Sequence, residues 1–222
     1  MLSKFGEFLN QLNVDCNMNK LSSSELSANS ILMLVLVSGS SKRGWLGITK
    51  LQKLSFLVEY FLDECGKRAF GYNFFMYDHG PISKGVYYDY ELLLDEELMI
   101  EDEDGIQVSE LGNSISEQFV KDIPEEIRTV MQSVINNYAH MKTHELTNFV
   151  HKMEIKLPDG SVVRIDDLYK GYTVLPKSLE NALRLGKDYL ETLAILANKS
   201  LIEAIRMARK KGSTSSPYKP LT

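Results

Sequence analysis

Residues 48–62 read ITKLQKLSFLVEYFL, residues 74–100 read FFMYDHGPISKGVYYDYELLLDEELMI, and residues 101–112 read EDEDGIQVSELG. In the first stretch Leu51, Leu54, Val58, Phe61, Leu62 and Cys65 recur at helical spacing, with Lys50 and Lys53 turned away from that stripe. In the second, Pro81 stands at or near a helix start and the helix runs from Ile82 to Leu98. Leu98 and Ile100 alternate, as do Ile106 and Val108, on either side of Asp104-Gly105, a strong two-residue hairpin signal. SELGNSISEQFV then returns as a helix. Two helices followed by a turn-linked pair of short strands are the outline of a winged helix, with the hairpin as its wing.

Outward from this centre the chain is mainly α. Ser22 with Glu25, Thr49 with Gln52, Asp122 with Glu125 and Ser200 with Glu203 have capping-box spacing. The first opens a helix through LSANSILMLVLV, whose near-continuous apolar character implies burial on several sides, and SGSSKRG ends it. From Ile123 a long helix extends toward His151, and a break within Thr143 to Asn148 would shorten it. In IKLPDGSVVRI, Pro158-Asp159-Gly160 forms a turn between two β-prone runs. Ser178 to Ala197 and Ser200 to Lys211 read as two further helices, the latter stopped by Gly212. These readings divide the chain into an N-terminal helical extension (1–21), a winged-helix-like core (22–120), a helical C-terminal layer (121–212) and a disordered tail (213–222).

Composition bounds the function. The chain has 222 residues, 44% apolar and 25% charged, which is ample for a core. Its net charge of −5 gives no general attraction to nucleic acid or anionic membrane. Cys16 and Cys65 make neither a disulfide framework nor a zinc site, and Cys65 reads as a small core residue, so a reducing, cytoplasmic compartment fits. The best apolar run, Ile31 to Val37, falls well short of the roughly 20 residues that a bilayer requires. MLSKFGEFLNQLNV lacks the features of a signal peptide and forms a short amphipathic helix with Phe5, Phe8, Leu9 and Leu12 on one side.

The order of an LQKL helix, an HGP turn opening a helix, a hairpin and a return helix resembles the SocA-like antitoxin domain, also called Panacea, of bacterial, archaeal and phage proteins. Leu51, Gln52, Lys53 and Leu54 match its first element; His79, Gly80 and Pro81 match its second. Glu145, Leu146 and His151 echo a third, without the Pro-Trp that often follows. The resemblance covers residues 45 to 155. It implies a non-enzymatic interaction module that binds and neutralises a partner toxin.

Charge bears separately on a DNA-binding role. A DNA-reading helix brings Arg, Lys, Asn or Gln to base edges and cations to phosphates. The helix after His79 offers only Lys84, against Asp89, Glu91, Asp95, Glu96 and Glu97. The hairpin tip, Glu101 to Asp104, places four carboxylates where a wing would meet a phosphate, which reverses the counterion-release term. DNA contact at the wing is disfavoured. A DNA-binding regulator would need another face, for which Lys42, Arg43, Lys50 and Lys53 are one candidate patch and Arg206, Arg209, Lys210 and Lys211 another. Both also fit an ordinary solvated helix face.

Seven aromatics, Tyr72, Phe74, Phe75, Tyr77, Tyr87, Tyr88 and Tyr90, crowd around the HGP turn. Tyr87, Tyr88 and Tyr90 span too much of a helix circumference to share one core face, so at least one is exposed. Tyr88 and Tyr90 are the candidate partner anchors, with Asp89 and Glu91 as steering charges for a basic protein partner. His79-Gly80-Pro81 reads as a structural turn.

An enzyme is the least favoured reading. His140, His144 and His151 share a helical wheel sector, yet His140 and His151 would lie about 16 Å apart along a helix. The H-x-x-x-H pair lacks a zincin's glutamate, and no phosphate loop or nucleophile motif appears. No cofactor and no metal are expected. Leu179, Ala182, Leu183, Gly186, Leu190, Leu193 and Ala197 form an apolar stripe that packs on the body, and with Leu201, Ile202, Ile205 and Ala208 it would also allow a homodimer.

Overall fold

The computed structural model describes residues 23–157 and 159–176. The N-terminal helix, Cys16, the two helices after Ser178, the basic patch at Arg206 to Lys211, the dimer stripe and the tail lie outside the described residues, as do the boxes at Ser22 and Ser200. The rest is mainly helical with three small antiparallel sheets. Helix α1 is Ser23–Ser41, α2 Ile48–Asp63, α3 Lys84–Asp95, α4 Glu110–Phe119, α5 Glu125–Tyr138 and α6 Thr143–His151. Strands β1 Phe74–Tyr77, β2 Gly80–Ile82 and β7 Thr173–Leu175 form one sheet in the order β2-β1-β7. Hairpins β3–β4 (Met99–Asp102, Gly105–Val108) and β5–β6 (Glu154–Lys156, Val162–Arg164) form the other two.

Two helices make the centre. From Ala28 to Val37 nearly every side chain of α1 is buried, as its apolar run requires, against α3, α4, α5 and β4. Helix α2 is enclosed more completely still: every residue from Lys50 to Glu59 is buried, between α5, α6 and β2. One hydrophobic cluster runs through the whole, from Ala28 to Leu175. Among the described residues no helix is long and apolar enough to cross a membrane.

The enclosure of α2 overturns part of the helical-wheel reading. Lys50 and Lys53 do not turn away to solvent; they are buried, and Phe61 at the end of the stripe is only partly so. Cys65 is exposed rather than packed, because α2 stops at Asp63 and the chain turns outward. Thr49 does not cap α2, whose cap position is Gly47 and has no side-chain bond. Asp122 sits in a short 3-10 turn, and Pro124 occupies the cap position of α5. The caps that do form are elsewhere. Ser83 accepts the Gly85 N–H at 3.2 Å, Ser109 accepts the Gly112 N–H at 3.1 Å, and the Glu145 carboxylate accepts the Lys142 N–H at 2.9 Å.

Pro81 starts no helix. It lies in the edge strand β2, paired opposite Met76, where its missing N–H costs no ladder bond. Ser83 therefore opens α3, later than the sequence suggests, and α3 ends at Asp95. The long helix after Ile123 is two, α5 and α6, separated at Ala139 to Lys142.

The hairpin stands where Asp104-Gly105 predicts it, with Asp102 paired to Gly105 and Gly105 at a φ of +98° that favours glycine. Its phase differs by one residue. Met99, Ile106 and Val108 share the inward face, Met99 and Ile106 being buried and Val108 partly so, whereas Ile100 is 46% exposed. The Leu46 carbonyl accepts the Ile106 N–H at 2.7 Å, so the chain before α2 runs beside the hairpin.

Candidate functional site

The three stretches that carry the sequence resemblance converge at one seam. Leu51 and Leu54 go into the core, while Gln52 and Lys53 face β2. The Gln52 amide holds Ser83 from both sides: its Nε2 donates to the Ser83 carbonyl and its Oε1 accepts the Ser83 N–H, each at 2.9 Å. The Lys53 Nζ donates to the Pro81 carbonyl at 2.9 Å. Between them Gly80 has a φ of +85°. A Cβ there would lie 2.8 Å from the His151 Nε2 and 3.4 Å from the Lys53 Nζ. His79 points outward and Leu146 is buried, while Glu145 is exposed and caps α6.

Lys53 has no exposed surface, and burial pushes its ammonium down to about 7. A lysine near neutrality is a nucleophile only if a substrate can reach it. Here none can. The seam instead fixes where β2 ends and α3 begins, so it positions the surface beyond it.

That surface differs from the expected one. Tyr88 is exposed, at 46%, and Glu91 is half-buried beside it on α3. Tyr90 and Asp89 are not surface groups. The Tyr90 hydroxyl donates to the Glu101 carboxylate of the hairpin at 2.6 Å, which ties α3 to β3; burial, with this bond, holds the phenol above its usual range. Asp89 faces the interior, where the Tyr72 hydroxyl donates to it and Asn29 lies alongside; burial pushes its carboxyl up to about 7 against those bonds. The helical period places 88 outward and 89 inward, and the sequence run of four polar residues concealed that division.

Residues 51–156 match the family model described as the antitoxin SocA-like, Panacea domain. Over these residues the chain is similar to a SocA-like Panacea domain. No curated protein and no solved structure matches it. The matched span opens on Leu51 and includes Gln52, Lys53, Gly80, Pro81, Ser83 and His151, every residue of the seam.

A second polar network has no signal at the sequence level beyond a glutamate on an apolar helix. Glu59 is fully buried; one carboxylate oxygen accepts the Ala69 and Phe70 N–H groups at 2.9 and 2.5 Å, and the other accepts from the Arg68 Nε. Arg68 also donates to the Tyr72 carbonyl at 2.9 Å and the Pro176 carbonyl at 3.1 Å. This pins the loop that follows α2 and leads into β1.

The basic patch proposed from sequence is divided. Lys42 and Arg43 are exposed before the matched span begins. Lys50 is buried with its Nζ on the Trp45 carbonyl at 3.1 Å, and Lys53 is in the seam, so neither reaches a nucleic acid. His140 and His144 fall on opposite sides of the break between α5 and α6, and both are exposed.

Proposed function

We propose that the chain is a non-enzymatic protein-interaction module of the SocA-like antitoxin type, which binds and neutralises a partner toxin. The match over residues 51–156 supports this reading, and the outer face of α3 is the surface we assign to the partner. Tyr88, Glu91 and Asp95 follow one another along that face, and partial burial, with the charges of Asp95 and Glu101, holds the Glu91 carboxyl above the usual range. The hairpin tip adds Asp102, Glu103 and Asp104, all exposed. Among the described residues none of these carboxylates meets a lysine or arginine.

An exposed tyrosine beside unpaired carboxylates suits a basic, partly apolar protein surface: the ring supplies contact area and the charges steer the encounter. Tyr88 is the anchor and Glu91 the steering charge; Tyr90 and Asp89 act from behind, one by holding the hairpin against α3 and the other within the core. In this reading α2, α3 and the hairpin make a winged-helix-like unit whose wing faces protein rather than DNA.

The test is co-expression with the product of the adjacent gene. The chain should rescue growth and co-purify with that product. Tyr88→Ala combined with Glu91→Lys should weaken the complex at least tenfold with the melting temperature nearly unchanged. An unaltered complex in that variant would place the interface elsewhere, and failure of the wild-type chain to bind or rescue would remove the antitoxin reading.

A further inference from the structure

From Ile127 to His144 the sequence contains no aspartate or glutamate, although the chain as a whole carries a charge of −5. The stretch covers most of α5 and the turn into α6. Its inner face, Ile127, Met131, Val134 and Ile135, is buried against α1 and α2. Its outer face is exposed and made of Arg128, Gln132, Ser133, Asn136, Asn137 and, past the helix end, Lys142. Exposed helix faces on acidic proteins ordinarily interleave Glu with Lys, which keeps them soluble and adds i,i+4 pairs. This one bears amides, hydroxyls and cations, and no carboxylate.

The amides are ordered among themselves. The Gln132 Nε2 donates to the Asn136 Oδ1 at 3.0 Å and the Asn137 Nδ2 to the Ser133 Oγ at 3.2 Å. The Arg43 Nη2 also donates to the Asn136 Oδ1, at 2.6 Å, and so brings the Lys42-Arg43 loop beside the helix. Along the sequence the flanking carboxylates are Glu125 in the first turn, Glu126, which is paired with Lys67 at 2.9 Å, and Glu145, which caps α6.

Arg128, Gln132 and Asn136 stand at i, i+4 and i+8, one ridge roughly 12 Å long at 1.5 Å per residue. The major groove of B-DNA is about 12 Å wide, and Arg, Gln and Asn are the side chains whose paired donors and acceptors match guanine and adenine edges there. Lys42 and Arg43 beside the ridge, and Lys142 beyond its end, are placed for phosphates. The cations alone would suit any acidic surface; the ridge of Arg, Gln and Asn is what favours base edges. We propose that this face binds duplex DNA, with α5 in the groove and Lys42, Arg43 and Lys142 on the backbone. It is separate from the acidic surface of α3 and the hairpin and does not depend on that surface's role.

The test uses the full chain and a labelled random-sequence duplex, read by anisotropy and by quenching of Trp45, the only tryptophan, which is 57% exposed beside Arg43. Binding should be measurable at about 50 mM salt and at least tenfold weaker at about 200 mM, as release of counterions by a few phosphate contacts requires. Arg128→Glu with Lys142→Glu should abolish it, and Lys42→Glu in the loop alone should weaken it severalfold and lower the salt slope by about one. No binding at the lower salt would overturn the proposal. So would binding indifferent to these reversals, or an equal affinity for polyglutamate, which would mark a surface for acidic protein.

Discussion

Gly80 and His151, far apart in the sequence, are so close in the fold that a Cβ on residue 80 would stand 2.8 Å from the imidazole Nε2. The contact links β2 to the last residue of α6 and depends on the absence of a side chain at one partner and the reach of the other.

Gly80→Ala should therefore cost on two counts. The φ of +85° is strained for any residue with a Cβ, by about 1–3 kcal/mol, and the methyl group must displace the imidazole or the Lys53 ammonium. Adding His151→Ala should recover the steric part and leave the backbone part. Urea unfolding of the two variants and the pair checks this; a Gly80→Ala protein as stable as wild type would contradict the packing described for the seam.

Lys53 makes stability depend on alkaline pH. With its folded value near 7 and its unfolded value at 10.5, the unfolded chain holds the extra proton between those limits, so stability rises with pH across that window. The slope approaches about 1.4 kcal/mol per pH unit; below 7 both states are charged and the term is constant. Lys53→Met should flatten the profile between pH 7.5 and 9.5. A variant profile that still parallels wild type would mean the ammonium is solvated.

Asp89 works in the opposite sense at lower pH. Its carboxyl is held near 7 in the folded protein and at 3.8 when unfolded, so the folded state binds the extra proton in between and stability falls as pH rises from about 4 to 7. Asp89→Asn keeps an acceptor for the Tyr72 hydroxyl and removes the charge. It should be more stable than wild type near pH 7.5, with the advantage shrinking toward pH 4. An Asn variant that loses stability at pH 7.5 would show that the ionised carboxylate is needed in place.

Local signals located the elements that local chemistry controls. Asp104-Gly105 placed the hairpin, the apolar run placed α1, and the LQKL and HGP stretches identified the segments that meet at the seam. Periodicity failed where a helix is enclosed on every side. On α2 the pattern reads Lys50 and Lys53 as solvent-facing, but solvent is absent there and carbonyls of Trp45 and Pro81 take its place. Those acceptors come from the preceding loop and from a strand further along the chain, which no wheel displays. Pro81 was misread for the same reason: only its pairing with Met76 shows a strand edge. Tyr90 and Asp89 lay one position from the exposed Tyr88, and the choice among them depended on where α3 begins. That start is set by Ser83 in the grip of Gln52.

The bond from Arg68 to the Pro176 carbonyl spans 108 residues. During synthesis the guanidinium and its glutamate emerge long before their last acceptor, and a buried charge with an incomplete set of acceptors disfavours the compact state. A nascent chain that ends before residue 176 therefore has a weaker hold on the loop after α2 than the finished one. Among the described residues β7 is the last strand, and only a chain that extends past it to Pro176 can complete the acceptors of Arg68.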